Sequence, residues 1–442
     1  MTSMFRRNVL LTLTFFLLPP LFAQAADWPQ WRGPDRDGRS PETGLLAAWP
    51  EGGPPLAWKI AGLGSGYSSV AVVGGVAYTL GDQGASQYAL AVTEQGVAWR
   101  TKIGKAWDDQ YLGPRSTPTV DGERIYVTST EGGIFCLNAK DGAVVWQRSL
   151  PRDFGGSLMK AKGTYDWKFS ESPLVDGDRV IVTPGAKDAA LVALDKLTGK
   201  EIWRTKIPAL GERGEDGAAY SSVVMSQGGG VRQYVQLIGR GLIGVEAATG
   251  RFLWGYNRVA NGIANIATPL IDGDHVFAST GYETGSALVR LQGDGQGGVT
   301  AEEVYFLPPT TAQNHHGGLI LDQGTVYTGT GHNKGFPIAL TLADGKVLWG
   351  PVRNAGRSSA AVTYADGRLY FRYQDGRMIL VEATPEAYRE HGTFEIPEVH
   401  RESWSHPVIA DGKLFLREQD HLFVYDLKPP PPVPAKAAPA AR

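Results

Sequence analysis

Four segments of the chain share one pattern: LNAKDGAVVW, LDKLTGKEIW, VEAATGRFLW and LTLADGKVLW. Each reads as a short apolar strand, an Asp-Gly or Thr-Gly turn, and a second strand closing on a tryptophan: Trp146, Trp203, Trp254 and Trp349. Glycine supplies the positive φ that a tight hairpin turn requires. Tryptophan is large enough to fill the space between packed sheets. A looser copy, AVTEQGVAW, ends at Trp99, an N-terminal strand PPLAWKI carries Trp58, and degenerate copies end near Tyr305 and Phe394. Upstream of the repeats lies a second hairpin, seen in STPTVDGERIYVTS, ESPLVDGDRVIVTP and ATPLIDGDHVFAST. The unit is therefore four short strands recurring every 41 to 57 residues. That is the period and strand number of a propeller blade.

The closing strands number eight, at positions 58, 99, 146, 203, 254, 305, 349 and 394. The first has no three strands before it, and the last unit, HPVIADGKLFLREQDHLFVYDL, lacks a closing strand. The expected fold is all-β: a single eight-bladed β-propeller of four-stranded blades over residues 26–427. The N-terminal strand completes the last blade, which removes the open edges of a linear array. Trp58, Trp99, Trp146, Trp203, Trp254 and Trp349 are expected to dock neighbouring blades. A formal charge of −2 and 20% charged residues describe a soluble globular protein and exclude a nucleic-acid binder.

The ends of the chain read differently. Arg6 and Arg7 precede the apolar run NVLLTLTFFLLPPLF and the small-residue site AQA, so residues 1–25 read as a cleaved signal peptide. The expected location is periplasmic or secreted. Pro19 and Pro20 end the apolar run short of the roughly 20 residues a spanning helix needs, and no cysteine stands at the cleavage site to carry a lipid. Residues 428–442, KPPPPVPAKAAPAAR, read as a disordered Pro/Ala-rich tail or as a basic tether to an anionic envelope polymer. The one cysteine, Cys136, sits in an alternating run and reads as a buried strand residue rather than a reactive thiol.

In a four-stranded blade the Asp-Gly turns share one face of the disc. The other face carries the blade connections and the loops between strands two and three, beside the axial channel. The residues leading into the eight inner strands hold Tyr67, Arg115, Glu171, Tyr220, Asn265, the pair His315 and His316, Arg357, and Trp404 with His406. Converging polar and aromatic groups at a funnel mouth point to a ligand pocket; the alternative is a set of mutual partners that plugs the channel. Two long connections, KAWDDQYLGPRS and FGGSLMKAKGTYDWKFSES, lie on the same face. Glu171 is the candidate general base or cation ligand, or else the ion-pair partner of Arg115. His316 is the second catalytic candidate. If the two histidines are extended, only one faces the channel; His316 is expected there, with His315 in the contact between blades and His332 near both. Adjacent histidines are poor metal-ligand spacing, and no metal site is expected. PDRDG, residues 34–38, reads as a solvated turn.

The repeats, with ALDKLTGKEIW as their fullest copy, resemble those of pyrroloquinoline-quinone (PQQ) dehydrogenases and of the envelope assembly propeller BamB. The opening DWPQWRGPDRDG also resembles exported PQQ-repeat-like proteins. The resemblance implies three functions: binding of a small polar ligand or cofactor in the funnel, a BamB-like scaffold for an envelope protein, or a PQQ- and calcium-dependent alcohol or sugar dehydrogenase. In the last, Glu171 and Asn265 would take the calcium-ligand roles. The adjacent cysteines of that family, which form a ring disulfide against the cofactor, are absent. The expected state is a monomer.

Overall fold

The computed structural model describes residues 26–430. The signal-peptide reading of residues 1–25 and most of the tail, residues 431–442, lie outside the described residues. Every sheet but one has four strands, and there are eight sheets. Within each blade the strands follow in order from the axis outward, so the first strand of every repeat is innermost. Seven blades are continuous in sequence, beginning at Ala71–Val73, Thr119–Asp121, Leu174–Asp176, Val224–Ser226, Leu270–Asp272, Leu319–Asp322 and Ala360–Ala365. In the eighth, Leu56–Ile60 pairs antiparallel with His421–Asp426 and supplies the outer strand. The ring closes as the repeat arithmetic requires.

The docking between blades follows from the repeat's two fixed residues. The turn glycines of the four matching repeats lie under the closing aromatic of the preceding blade. A Cβ on Gly142 would come within 2.5 Å of the Trp99 ring, one on Gly199 within 2.7 Å of Trp146, and one on Gly250 within 2.5 Å of Trp203. The indole nitrogens then donate to the next blade's turn: Trp99 to the Ala139 carbonyl at 3.0 Å, Trp146 to Lys196 at 2.9 Å, and Trp349 to Thr384 at 2.8 Å. Trp254 instead donates to Gln233 of its own blade at 2.6 Å. Where tryptophan is missing, Tyr305 covers Gly345 and donates to the Leu342 carbonyl. Trp58 packs edge-on against Phe415 in the closed eighth blade.

Two buried arginines reinforce the closure. Arg372, on blade 7, donates to Ser405 and Arg417 carbonyls and pairs with Glu418 at 2.7 Å, both side chains essentially inaccessible. Arg417, on blade 8, donates to the Leu63 and Gly64 carbonyls and to Thr79 of blade 1. Guanidinium groups thus stitch blades 7, 8 and 1 together around the blade in which the ring closes.

The sheet with a fifth strand reveals what fills the axis. Arg39–Ser40 pairs in parallel with the inner edge of Ala360–Ala365. The chain before it forms a loop inserted into the channel from the turn face. Trp28 bridges Val72 of blade 1, and the Pro29 carbonyl accepts from Val120 of blade 2. Arg36 donates to the Ser172 and Pro173 carbonyls of blade 3 at 2.8 and 3.0 Å. Trp31 donates to Thr268 of blade 5, Arg32 to the Leu319 carbonyl of blade 6, and Ser40 to the Ile409 carbonyl of blade 8. Seven of the eight blades touch this segment. The reading of PDRDG as a solvated turn is corrected accordingly: Pro34 and Asp35 are exposed, but Arg36 and Gly38 are buried. The Arg36 guanidinium meets two consecutive carbonyls of blade 3, those of Ser172 and Pro173.

Two stability predictions follow. Gly250→Ala combines a positive φ of 78° with the Trp203 contact, whereas Gly273→Ala has a positive φ of 56° and open space. The first is expected to lose more stability in urea denaturation than the second, which costs about 1–2 kcal/mol for the left-handed backbone alone. Arg372→Met leaves Glu418 buried without its partner and is expected to cost about 3–5 kcal/mol; a loss under 1 kcal/mol would show that the pair does not hold the closure.

Candidate functional site

The lead-in to each inner strand is rich in serine and threonine, and the hydroxyls tie adjacent blades. Ser68 donates to the Ser116 carbonyl at 2.6 Å, Ser172 accepts from the Thr117 amide at 2.9 Å, and Ser222 accepts from the Ser172 amide at 3.0 Å. Thr363 donates to the Pro407 carbonyl at 2.8 Å, and Ser69 to the His406 carbonyl at 2.8 Å. This belt fixes the backbone around the axis, so the side chains just before it project over the channel. They surround a cavity of about 280 Å³.

The floor of the cavity is the tip of the N-terminal loop, Trp31 and Arg32. Its wall is aromatic: Tyr67, Tyr111, Trp167, Tyr220, Tyr282 and Trp404. Trp404 is the centre of one side, with ring centroids 4.8 Å from Tyr67, 4.8 Å from Tyr111 and 5.1 Å from His316. Its indole nitrogen donates to Gln374 at 2.9 Å. On the other side Trp167 packs edge-on against Tyr220, whose hydroxyl accepts from the Trp167 amide at 3.1 Å. Burial raises the phenols of Tyr67 and Tyr220 well above the usual range, so both remain neutral donors.

Arg115 lies over the Tyr67 ring at 5.5 Å and donates to the Gly113 and Tyr111 carbonyls. It meets no carboxylate. Sequence reasoning set Glu171 beside it as one alternative; the structure places Glu171 elsewhere, on the Thr183 amide and hydroxyl, both at 2.6 Å, with Arg36 as its nearest cation. The reason is the N-terminal loop, which brings a second arginine into the channel on the Glu171 side. Glu171, Asn265 and Arg357 do not line the cavity. Asn265 is fully buried and its carboxamide serves the Ile238 and Gly239 carbonyls. Arg357 is exposed. Tyr67, Arg115, Tyr220, His315, His316, Trp404 and His406 do line it.

Both histidines of NHHGG line the cavity, contrary to the alternation that an extended segment would impose. The segment is a bend, so the rings of His315 and His316 sit side by side at 4.6 Å. His315 also bridges blades: its Nδ1 lies 2.6 Å from Ser359 Oγ and its Nε2 3.0 Å from the Tyr282 hydroxyl. The His332 ring lies 4.4 Å from that of His315, tilted by 55°. Burial, reinforced by neighbouring histidines, pulls His315 down to about 2 and His316 to about 3. His406, buried near Arg32, is likewise about 3. These are neutral imidazoles. Among the described residues no three His, Cys, Asp or Glu side chains are placed to hold a metal.

Strain gathers here too. Arg32, Tyr111 and Tyr282, all in the cavity lining, have positive φ values of 60°, 58° and 55°. Such conformations persist where the surroundings over-determine them. The repeat pattern does not reveal the floor: Trp31 and Arg32 are readable only as residues of an N-terminal stretch. It also misses Tyr282 and Gln374, which reach the cavity from loops between strands two and three.

The calcium site that the resemblance to PQQ dehydrogenases implies does not fit these residues. Calcium takes six to eight oxygen ligands, carboxylates among them, and no lining side chain is a carboxylate. Both Glu171 oxygens are committed to Thr183, and Asn265 is committed to backbone. Cys136, the one cysteine, is buried in blade 2 against Arg124.

Glu171 is pushed up to about 7 by burial. Its folded value exceeds the unfolded one, so stability is present at low pH and is lost as pH rises from about 4.5 to 7. The histidines act oppositely: the unfolded chain takes up protons below about 6.5 that the native cavity refuses. Urea midpoints between pH 4 and 8 are expected to lose their neutral-side decline in Glu171→Gln and part of their acid-side decline in His316→Phe. Profiles unchanged in both variants would remove these groups from the pH dependence.

Comparisons with known proteins agree on the fold and divide on activity. Residues 84–351, more than half of the chain, match the family described as outer membrane protein assembly factor BamB. Polyvinylalcohol dehydrogenase of Sphingopyxis sp. is 30% identical over 170 residues, 35% of this chain and 24% of that protein. BamB of Xanthomonas campestris pv. campestris is 26% identical over 110 residues, 25% of each chain. The chain spans about a quarter of the length of these curated relatives. Among solved structures, quinohemoprotein alcohol dehydrogenase of Comamonas testosteroni superposes with a TM-score of 0.61 at 13% identity, over 93% of this chain and 82% of that one. BamB of Moraxella catarrhalis superposes with a TM-score of 0.57 at 12% identity, over 84% and 97%. Identities this low establish the shared propeller and nothing finer.

Proposed function

The chain belongs to the family described as outer membrane protein assembly factor BamB, and within it we propose a protein that binds a small, polar, ring-bearing molecule in the axial cavity. One observation carries this reading. Six aromatic side chains of the wall and Trp31 of the floor enclose a single cavity that contains cations and neutral donors but no carboxylate. A propeller that only presented loops to a partner would have no need of such a chamber, since blade docking is already supplied by the outer tryptophans.

The chemistry of the lining sets what it can hold. Offset and edge-on aromatic contacts favour a flat or ring-shaped body. Arg115, Gln374, Asn333 and Ser170 offer donors around it. Neutral histidines add hydrogen-bond donors or acceptors without charge. The cell envelope is the compartment we assign. The family description supports it, as does the basic, apolar and small-residue order of the N-terminus. Among the described residues no helix is long and apolar enough to cross a membrane.

Thermal shifts across sugars, quinones including PQQ with calcium, and divalent metals test the reading. At least one ring-bearing compound is expected to raise the melting temperature, and Trp404→Ala, which removes the centre of the wall, is expected to weaken its affinity by 10-fold or more. PQQ with calcium is expected to be silent. Silence across the whole panel, together with stable capture of an envelope protein, would replace this reading with the scaffold one.

A further inference from the structure

The inner end of the cavity holds polar atoms that the protein leaves without partners. Arg32 is 3% exposed. Its Nη2 donates to the Asp37 carbonyl at 2.7 Å and to the Leu319 carbonyl, while Nε and Nη1 are buried and unpaired. Burying charged donors without acceptors is costly, and native structures rarely leave them so. The Asp37 carboxylate, the nearest acid, turns away to accept from the Arg39 amide at 2.9 Å. Burial lowers the Arg32 guanidinium to about 10, still charged at neutral pH.

Two histidines stand beside it. His406 is 7% exposed and its Nε2 lies 3.0 Å from the His316 carbonyl. A neutral ring that donates there presents Nδ1 as an acceptor, and that Nδ1 is buried and unpaired, as is Nε2 of His316. Gly318 lets the guanidinium and the His406 ring close on the backbone at this corner. A Cβ at that position, where φ is 79°, would lie 2.0 Å from Arg32 Nη1 and 3.1 Å from His406 Cε1. The ring of Trp31 packs 4.5 Å from His406, so an aromatic surface borders the same corner.

From this geometry we propose that the inner corner is a metal-independent site for a ring-bearing α-hydroxy carboxylate. The carboxylate takes the free N–H groups of Arg32, the adjacent hydroxyl donates to Nδ1 of His406, and the ring lies in the aromatic wall under Trp404. The carboxylate brings the negative charge that no side chain of the cavity supplies. The hydroxyl is needed because a carboxylate alone leaves the His406 acceptor unpaired. The site depends on the N-terminal loop, which contributes the charge, and it rests on the reading of the cavity as a binding chamber.

The test uses mandelate as probe with two near-isosteres, in the presence of EDTA, read by tryptophan fluorescence and thermal shift. Mandelamide removes the charge and phenylacetate removes the hydroxyl. Mandelate is expected to bind, phenylacetate about 10-fold more weakly, which is about 1.4 kcal/mol, and mandelamide not measurably. Arg32→Gln is expected to abolish mandelate binding. Should that variant fail to fold, His406→Phe serves: it erases the difference between mandelate and phenylacetate. Equal binding of mandelate and mandelamide overturns the anion site, and equal binding of mandelate and phenylacetate overturns the hydroxyl contact. If mandelate fails while sugars or quinones bind, the inference falls and the chamber stands. If nothing binds, both fall.

Discussion

Arginine side chains meeting backbone carbonyls at the axis are the interaction on which the rest depends. Eight inner strands present one unpaired edge each toward the channel, and buried polar backbone needs partners. Arg32 and Arg36 meet carbonyls of blades 6 and 3 from a loop anchored by Trp28 on blade 1 and Arg39–Ser40 on blade 7. One short segment therefore satisfies edges, fills the lower channel and makes a floor. Without it the ring would enclose an open pore; with it, the upper half becomes a closed-bottom chamber.

The blades themselves are held by a different device. Trp99, Trp146, Trp203 and Tyr305 lie over the next blade's turn glycine, a contact that uses glycine's missing Cβ as much as its backbone freedom. The device repeats around the ring and weakens where the repeat degenerates. Where it weakens, near blades 7, 8 and 1, the buried Arg372–Glu418 pair and the fan of Arg417 bonds take over. Closure by Leu56–Ile60 is thus a strand pairing backed by charge-assisted hydrogen bonds, which are stronger than neutral ones.

The chamber departs chemically from what its repeats resemble. The same propeller supports dehydrogenases and assembly factors, and its outer architecture is indifferent to which. Within a few residues of the axis this chain has no lining carboxylate, one glutamate turned to Thr183 and Arg36, neutral histidines, and two lining arginines, Arg32 and Arg115, outside any salt bridge. The cavity proposed as the binding chamber is aromatic, holds arginines and has no lining carboxylate.

Strand number, blade number and the closing strand were legible in the sequence, because they rest on local period: a hairpin turn, an alternating strand and a closing tryptophan recur at fixed spacing. The ring of lead-in residues was legible too, since position in the repeat dictates nearness to the axis; Tyr67, Arg115, Tyr220, His316, Trp404 and His406 meet there. What only the tertiary structure decided is which partners those side chains find. Glu171 turned from Arg115 to Arg36, both histidines of the pair reached the cavity, and Trp31 with Arg32 became its floor. These depend on a non-repeating segment threading a channel formed by residues hundreds of positions away. No local pattern encodes such contacts, because the carbonyls that hold the arginines exist as a set only after the ring has closed.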